Sequence, residues 1–356
     1  MSELGILTHT PQGQAILRGM MLSPNGERYR ARNNSQVTQV YHPGFMFWKN
    51  SHLLKDEWEE LDAALVRAAR KRLRLVSDLA GMGLTHRLGG IGSMISQYNA
   101  ASEMTAANVS MDGRGQGEQD RLDYSLTGVP VPVIFKSYHF GSRELASSRN
   151  SGDQVETGHA AAAARVVVET LEGMAVNGRS NFQFKSAVIY GITNHPDRNT
   201  GSGSDWGTAA NVLTTVAAMI AAAVADNHYG PYYIYAHRTQ FNQARNSFFT
   251  DGSGDTPYDR VMRMEGVQGF FALDELDDGE CVLVQMDPEV IDLAYVPGFG
   301  FGNADDTGVT PINGITNLEW MAGDGMTIYH KALTIAVVRV KSRYDGKSGI
   351  VHYDSI

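Results

Sequence analysis

Apolar residues recur at steps of three and four between Ala160 and Met174, which is the spacing of one face of an α-helix. The recurring positions are Ala160, Ala163, Val167, Leu171 and Met174. Arg165, Glu169 and Glu172 fall on the opposite side, and Arg165 with Glu169 forms an i,i+4 pair of opposite charge. The pattern predicts a long amphipathic helix that buries one stripe and exposes these three charges.

Both ends of this helix carry chemical signals. Asp153 followed by Glu156 is typical of a capping box, and Asn177-Gly178 supplies a left-handed stop. A helix of about 24 residues would be roughly 36 Å long, which exceeds most helices of globular proteins. The periodicity alone fits a core helix of any α/β protein equally well, so it does not decide the fold.

The second half of the chain predicts alternating helices and strands. A helix stripe is expected at Leu213, Val216, Ile220 and Val224. Further elements are expected as a strand at 232–236, helices at 240–249 and 258–266, and strands at 269–273 and 281–286. Asp277-Asp278-Gly279 predicts a hairpin turn between the last two strands. A β-prone stretch at 326–341 predicts a strand, with 349–353 returning beside it through Asp345-Gly346.

The first half is less regular. Residues 1–50 lack a sustained period, which indicates an extended arm that needs a partner to become ordered. An amphipathic helix is expected from Leu54 to Ala68. Glycine recurs through 81–121, and a loop tip is predicted at Gly113, Arg114, Gly115, Gln116 and Gly117. Val129, Val131, Val133 and Phe135 predict one returning strand, with the intervening prolines favouring a sheet edge.

Charge and cysteine content narrow the possible functions. The chain of 356 residues has a formal net charge of -9 and only 19% charged residues, which argues against binding nucleic acid by neutralising phosphates. The single cysteine, Cys281, excludes a disulfide framework and fits a reducing compartment. The sequence shows no apolar run of membrane-spanning length and no secretion signal, so we expect a cytosolic protein without membrane contact.

Residues 129–178, an extended segment that leads into the long helix, resemble the extended loop and spine helix of tailed-phage major capsid proteins and encapsulins. Arg143-Glu144-Leu145 resembles the polar turn before that helix. Tyr229-Gly230-Pro231-Tyr232 between a helix and a strand, followed by residues 258–265, a β-hairpin and 291–295, is similar to the axial domain of encapsulins. The order of elements extends this resemblance over most of the chain.

The resemblance implies an α+β subunit with the tailed-phage major capsid protein fold. Its parts would be an N-terminal arm, an extended β-hairpin loop, a peripheral domain with a long spine helix, and an axial domain. The expected boundaries are 1–52 for the arm, 53–83 for the N-terminal helix and lead-in, 84–142 for the extended loop, 143–205 with 321–356 for the peripheral domain, and 206–320 for the axial domain.

The implied function is self-assembly, through pentamers and hexamers, into an icosahedral shell around the double-stranded DNA genome of a tailed phage. The expected location is the virion, after assembly in the host cytoplasm. Implied partners are other copies of the chain and separate scaffolding, portal and decoration proteins, with no sequence-specific DNA binding. The long arm and a glycine-rich insertion at 296–318 favour a phage subunit, while an encapsulin-type compartment around a cargo protein stays an alternative.

Two groups of residues are expected to carry this function. The predicted assembly contacts are Gly113, Arg114, Gly115, Gln116, Gly117, Arg143 and Glu144. The predicted core of the spine helix is Ala163, Val167, Leu171 and Met174.

A cytosolic α/β enzyme is a third hypothesis, and its sequence signals are weak. Gly346-Lys347-Ser348 resembles the end of a phosphate-binding loop, but position 341, where that loop requires a glycine, is occupied by Lys341. Gly113, Gly115 and Gly117 match half of a dinucleotide fingerprint without the flanking strand and helix. The acidic residues of 274–280 lack calcium-loop spacing. We therefore predict no catalytic, cofactor-binding or metal-ligating residue and no enzyme activity.

Overall fold

The structure is a computed structural model that describes residues 21–22, 28–29, 74–102, 104–109, 111–112, 119–151, 158–249, 254–297, 315–321 and 326–356. Three predicted features lie outside these residues: the helix from Leu54 to Ala68, the loop tip at 113–117 and most of the insertion at 296–318. The predicted capping box at Asp153 and Glu156 also lies outside them.

The elements have the following bounds. The helices are α1 Leu75–Gly81, α2 Ser142–Ser151, α3 Gly158–Asn177, α4 Ala209–Ala225, α5 Arg238–Asn246 and α6 Pro257–Val261. The first strands are β1 Met21–Leu22, β2 Arg28–Tyr29, β3 Thr85–Arg87, β4 Ile95–Ala101, β5 Tyr124–Pro130, β6 Val133–Gly141, β7 Arg179–Phe184 and β8 Ala187–Ile189. The later strands are β9 Asn199–Ser202, β10 Tyr232–Ala236, β11 Val267–Ala272, β12 Cys281–Gln285, β13 Ile291–Tyr295, β14 Thr316–Met321, β15 Thr327–Val340 and β16 Ile350–Asp354.

The chain divides into two compact units. One contains residues 1–72, 133–168 and 297–334, and the other contains 73–132, 169–296 and 335–356. The division falls inside α3, after Val168, and inside β15, after Thr334. The five-part division expected from the sequence stays a prediction.

The larger unit contains a five-stranded sheet in the order β11-β10-β12-β16-β9. The predicted hairpin between β11 and β12 is wrong, because β10 lies between these strands and pairs with both. Every residue of β12 is buried, as is typical of a strand in the interior of a sheet, and β16 supplies its other neighbour. The Asp277-Asp278-Gly279 segment therefore connects β11 to β12 across the intervening strand β10.

The last strand of the chain is also placed differently from the prediction. β16 pairs with β12 and β9 rather than returning beside β15. The reason is burial: Val351 is fully buried in the core that holds Leu283 of β12 and Trp206. Removing this apolar side chain from water favours the observed pairing.

The long strand β15 takes part in both units. In the larger unit its second half pairs antiparallel with β13, from Ile291↔Val340 to Tyr295↔Ala336, and β13 pairs in parallel with β3. In the smaller unit its first half pairs antiparallel with β14, and β6 also pairs with β15. The core of the smaller unit consists of Phe140, Ala160, Ala163, Ala164, Ile328 and Ala332.

The extended segment of the larger unit is an antiparallel hairpin of β4 and β5, in register from Ile95↔Pro130 to Ala101↔Tyr124. The single strand predicted across Val129 to Phe135 is wrong: β5 ends at Pro130 and β6 begins at Val133. Pro132 lies in the break, because proline has no N–H to donate to a ladder. The N–H of Val131 donates to the carbonyl of Met94 at 2.9 Å and closes the hairpin at its root.

The buried stripe of α4 is rotated relative to the prediction. Its buried residues are Val212, Thr215, Val216, Met219 and Ala223. Of the expected positions only Val216 is fully buried, and Val224 is 41% exposed. This helix is alanine-rich and apolar nearly all round, so its period does not define one inner face.

Candidate functional site

The β4–β5 hairpin has two unlike faces. Residues directly opposite each other share a face, and on one face Ser96 and Val129 near the root and Ala100 near the far end are buried. On the other face Tyr124 is 65% exposed and Leu126 is 62% exposed. The first face is therefore partly buried against the subunit, and the second face presents apolar side chains to solvent.

Further apolar side chains extend this exposed surface along the same segment. They are Met94, Met104, Val109 and Met111, each more than half exposed. Isolated exposed apolar residues are common on proteins, but a series of them along one segment indicates an interaction surface. We call these four residues, with Tyr124 and Leu126, the outward apolar surface.

A buried arginine holds the root of the hairpin. Arg339 of β15 donates from Nε to Asp292 Oδ1 at 2.7 Å and from Nη2 to Asp292 Oδ2. Its Nη1 donates to Ser96 Oγ at 2.8 Å and to the carbonyl oxygen of Gln97 at 3.4 Å. One planar guanidinium thus joins β13, β15 and β4.

Further charges surround this arginine. Lys341 Nζ lies 2.7 Å from Asp292 Oδ2 and donates to the carbonyl of Pro288 at 2.6 Å. Burial, and then the positive charge of Arg339, lower the pKa of His86 below its ordinary value. The lowered pKa favours the neutral imidazole, so the positive charge at the root is carried by Arg339 and Lys341.

The spine helix α3 places the expected core residues inside. Ala163, Val167, Leu171 and Met174 are all buried, the most exposed being Met174 at 5%. Arg165 is exposed as expected and Glu169 is half-buried. The expectation for Glu172 is wrong, because this carboxylate is only 1% exposed.

Glu172 caps the start of α1. Its Oε1 accepts the backbone N–H of Arg74 at 3.0 Å and of Leu75 at 2.6 Å, and its Oε2 accepts that of Val76 at 3.2 Å. These are N–H groups that a helix start leaves without intrahelical acceptors. Burial raises the pKa of Glu172 to about 7, against the opposing effect of these hydrogen bonds.

The sequence contained a signal for this carboxylate. Ala164, Val168 and Ala175 are buried at eight and four residues before it and three after it. They form a second apolar row beside the predicted stripe, and Glu172 lies within that row. A charged residue in an apolar row indicates a buried partner, which here is the backbone of α1.

The predicted assembly contacts are only partly described. Gly113 to Gly117 lie outside the described residues. Arg143 and Glu144 are exposed in the first turn of α2, so the expected polar turn is a helix. Glu144 Oε2 accepts the N–H of Gly141 at 3.4 Å. Their role in assembly stays a prediction.

A comparison with protein families assigns the chain to one of them. Residues 49–296 match the model of a family described as a family of unknown function, DUF6260. The chain belongs to this family. A search of curated proteins found no match.

Solved structures define the fold of this DUF6260 member. The capsid of Myoviridae Phage XM1 matches with a TM-score of 0.58 at 13% identity, over 86% of this chain and 100% of that one. A virus-like particle from Pyrococcus furiosus matches with a TM-score of 0.55 at 17% identity, over 83% and 99%. The capsid of a native GTA particle matches with a TM-score of 0.53 at 11% identity, over 90% and 97%. The predicted tailed-phage capsid fold is confirmed.

Two motifs of this DUF6260 member that could indicate ligand binding, the segment around Lys347 and the acidic segment 274–280, form ion pairs within the chain. Lys347 lies in the turn before β16, 3.6 Å from Asp226 and 3.8 Å from Asp345. In the acidic segment, Asp274 pairs with Arg238 and Asp278 lies 3.2 Å from His237. Among the described residues no three His, Cys, Asp or Glu side chains are grouped to hold a metal ion. Within that same part of the chain, every helix is too short or too polar to cross a bilayer.

Proposed function

We propose that this chain is a major capsid protein that self-assembles into a closed icosahedral shell. The observation that carries the proposal is the extent of the structural match. It covers 100% of the phage XM1 capsid chain and 99% of the virus-like particle chain. A match over the whole length of these chains supports a complete shell subunit rather than one widespread domain.

The outward apolar surface supports this proposal physically. Burying a side chain such as Leu126 or Tyr124 against a neighbour contributes about 1.5 to 3 kcal/mol. A single contact of this size is weak. Repeated by symmetry around pentamers and hexamers it becomes cooperative, because each subunit is held by several neighbours at once.

The contents of the shell are part of the same proposal. We place the double-stranded DNA genome of a tailed phage inside, with scaffolding, portal and decoration proteins as partners and the virion as the final location. The net charge of -9 suits a container whose DNA is moved in rather than adsorbed to its wall. A second candidate is a compartment around a protein cargo, which the resemblance of the sequence to encapsulins supports.

Electron microscopy of the purified chain tests the proposal. We expect closed shells, tubes or ring-shaped capsomers at high protein concentration, with matching fast sedimentation. A protein that stays monomeric at high concentration, also when co-expressed with a scaffolding protein, would contradict it. Particles isolated from the native source separate the two contents by the ratio of absorbance at 260 and 280 nm after nuclease treatment: protected nucleic acid favours the genome, and its absence together with a co-purifying protein favours a protein cargo.

A further inference from the structure

We propose that Arg339 is the positioning residue of the extended hairpin, and that the direction it imposes on β4–β5 sets the curvature of the assembled shell. The first half of this inference concerns the subunit alone. The second half rests on the proposed function, since curvature exists only in an assembly.

The geometry divides the guanidinium between two structural elements. Nε and Nη2 form a two-pronged contact with Asp292 of β13, while Nη1 serves Ser96 and Gln97 of β4. Arginine holds its donors in a rigid plane, so the position of Asp292 determines where Nη1 points. A lysine at this position would offer one ammonium at the end of a flexible chain and could not hold both elements in a fixed relation.

Burial of these side chains favours one direction of the hairpin over others. The side chain of Arg339 is 3% exposed, that of Asp292 is 7% exposed, and Ser96 is 3% exposed. In such surroundings a donor that loses its acceptor is not compensated by water. If the hairpin rotated about its root, Nη1 would lose Ser96 Oγ and stay buried. One direction of the hairpin is therefore strongly preferred.

The hairpin amplifies small changes at this root. The two strands have seven residues each, so at about 3.3 Å per residue they span roughly 23 Å. A rotation of roughly 10° at the root would move the far end by about 4 Å, which exceeds the tolerance of a hydrogen bond or a packed contact. Within the ladder, Tyr98 Oη also donates to the carbonyl of Val340 at 3.5 Å, whereas beyond it the described hydrogen bonds, such as Ser102 N–H to the Asp123 carbonyl at 2.9 Å, join the hairpin to itself.

The contacts at the root allow the two roles of Arg339 to be separated. Ser96→Ala removes the side-chain acceptor on the hairpin and leaves the contact between Arg339 and Asp292 in place. Lys341 also holds Asp292 independently of Ser96. Arg339→Lys is the second variant, because it keeps the positive charge beside Asp292 and loses the fork. Ser125→Ala, an exposed serine on β5, is the matched control.

Hydrogen exchange and electron microscopy test the two halves. We expect Ser96→Ala and Arg339→Lys to remain folded by circular dichroism, with amide exchange in residues 95–101 at least tenfold faster than in wild type. We expect their particles to vary in diameter or stay open, while Ser125→Ala forms wild-type shells. Unchanged exchange in both variants would overturn the positioning role. Faster exchange with uniform wild-type shells would overturn the link to curvature.

The same measurements distinguish failure of the proposed function. If the wild-type chain forms no particles, the capsid proposal fails and with it the link to curvature. Exchange in the isolated subunits still decides whether Arg339 fixes the hairpin.

Discussion

The buried stripe of α3 and the outward apolar surface of the hairpin use similar residues with opposite results. Val167 and Leu171 of α3 are each 1% exposed, whereas Leu126 of β5 is 62% exposed and Met94 is 61% exposed. The free energy available from burying such side chains is the same in both places. In α3 it is gained when the chain folds, and on the hairpin it remains available for association.

The first way to test this comparison is to place a charge in α3, where we expect the largest effect on folding. Val167→Asp would bury a carboxylate without a partner, which should lower the free energy of unfolding by about 3 to 5 kcal/mol. Val166→Asp is the control on the adjacent position, which is 38% exposed, and should change it by less than about 1 kcal/mol. Urea unfolding measures both. Equal effects would show that α3 does not have the two faces described.

The next effect is smaller and depends on pH. The pKa of Glu172 is raised to about 7 in the folded chain, so the folded chain binds the proton of this carboxyl group more strongly than the unfolded chain does. The resulting stabilisation is fully present below pH 4.5 and is lost as pH rises through about 7. Relative to Glu172→Gln, wild type should lose up to about 3 kcal/mol of stability over this interval, because the pKa of Glu172 rises from its ordinary value of 4.5 to about 7 on folding.

Subtracting the stability of Glu172→Gln reduces the contribution of other titrating groups to the pH dependence. Asp78 of α1 also has a raised pKa because of burial, and buried His195 and His228 have lowered pKa values for the same cause. The two histidines are present in both proteins, so their contributions cancel in the difference, whereas the charge of Asp78 also raises the pKa of Glu172 and is part of the measured effect. Glu169→Gln, on the same helix, controls for loss of any glutamate. A difference between wild type and Glu172→Gln that is constant from pH 4 to 8 would disprove the assignment.

Local patterns in the sequence predicted local structure. The strand expected at residues 232–236 is β10 with the same bounds, and the stripe of α3 contains its predicted buried positions. Both follow from neighbours within a few residues, where side-chain period determines the outcome. The stop predicted at Asn177-Gly178 is confirmed, since α3 ends at Asn177 and Gly178 has a φ of 64°. The helix expected at 258–266 ends already at Val261, and the polar turn expected at Arg143 is a helix, because propensity is a weak signal for such ends.

Pairing between distant strands was not predictable from the same patterns. Nothing local distinguishes β11 or β16 as the neighbour of β12, since both are apolar and both could follow a turn. The choice depends on which arrangement buries most apolar surface. Arg339 did leave a local signal, as a lone charge in the apolar stretch 335–340, and its partner Asp292 is likewise surrounded by buried residues. The sequence did not predict that Ser96 accepts a hydrogen bond from Arg339.

The smallest expected effect on folding comes from the hairpin, where we expect the largest effect on association. The double substitution Tyr124→Ser with Leu126→Ser removes two apolar side chains that are more than 60% exposed. Because solvent already surrounds them in the isolated subunit, the free energy of unfolding should change by less than about 0.5 kcal/mol per site. Assembly should be lost or shifted to much higher protein concentration, since each neighbour contact loses about 3 kcal/mol or more and the loss repeats around the shell.

A matched variant makes this result interpretable. Ser125→Ala and Thr127→Ala change the exposed residues that alternate with Tyr124 and Leu126 on the same strand, and they belong to the other face of the hairpin. We expect wild-type assembly from this pair, measured by light scattering and by sedimentation velocity over a concentration series. If the serine variant assembles at wild-type concentrations, the outward apolar surface does not hold neighbours together. If it unfolds instead, those side chains belong to the folded core, and the contrast between α3 and the hairpin disappears.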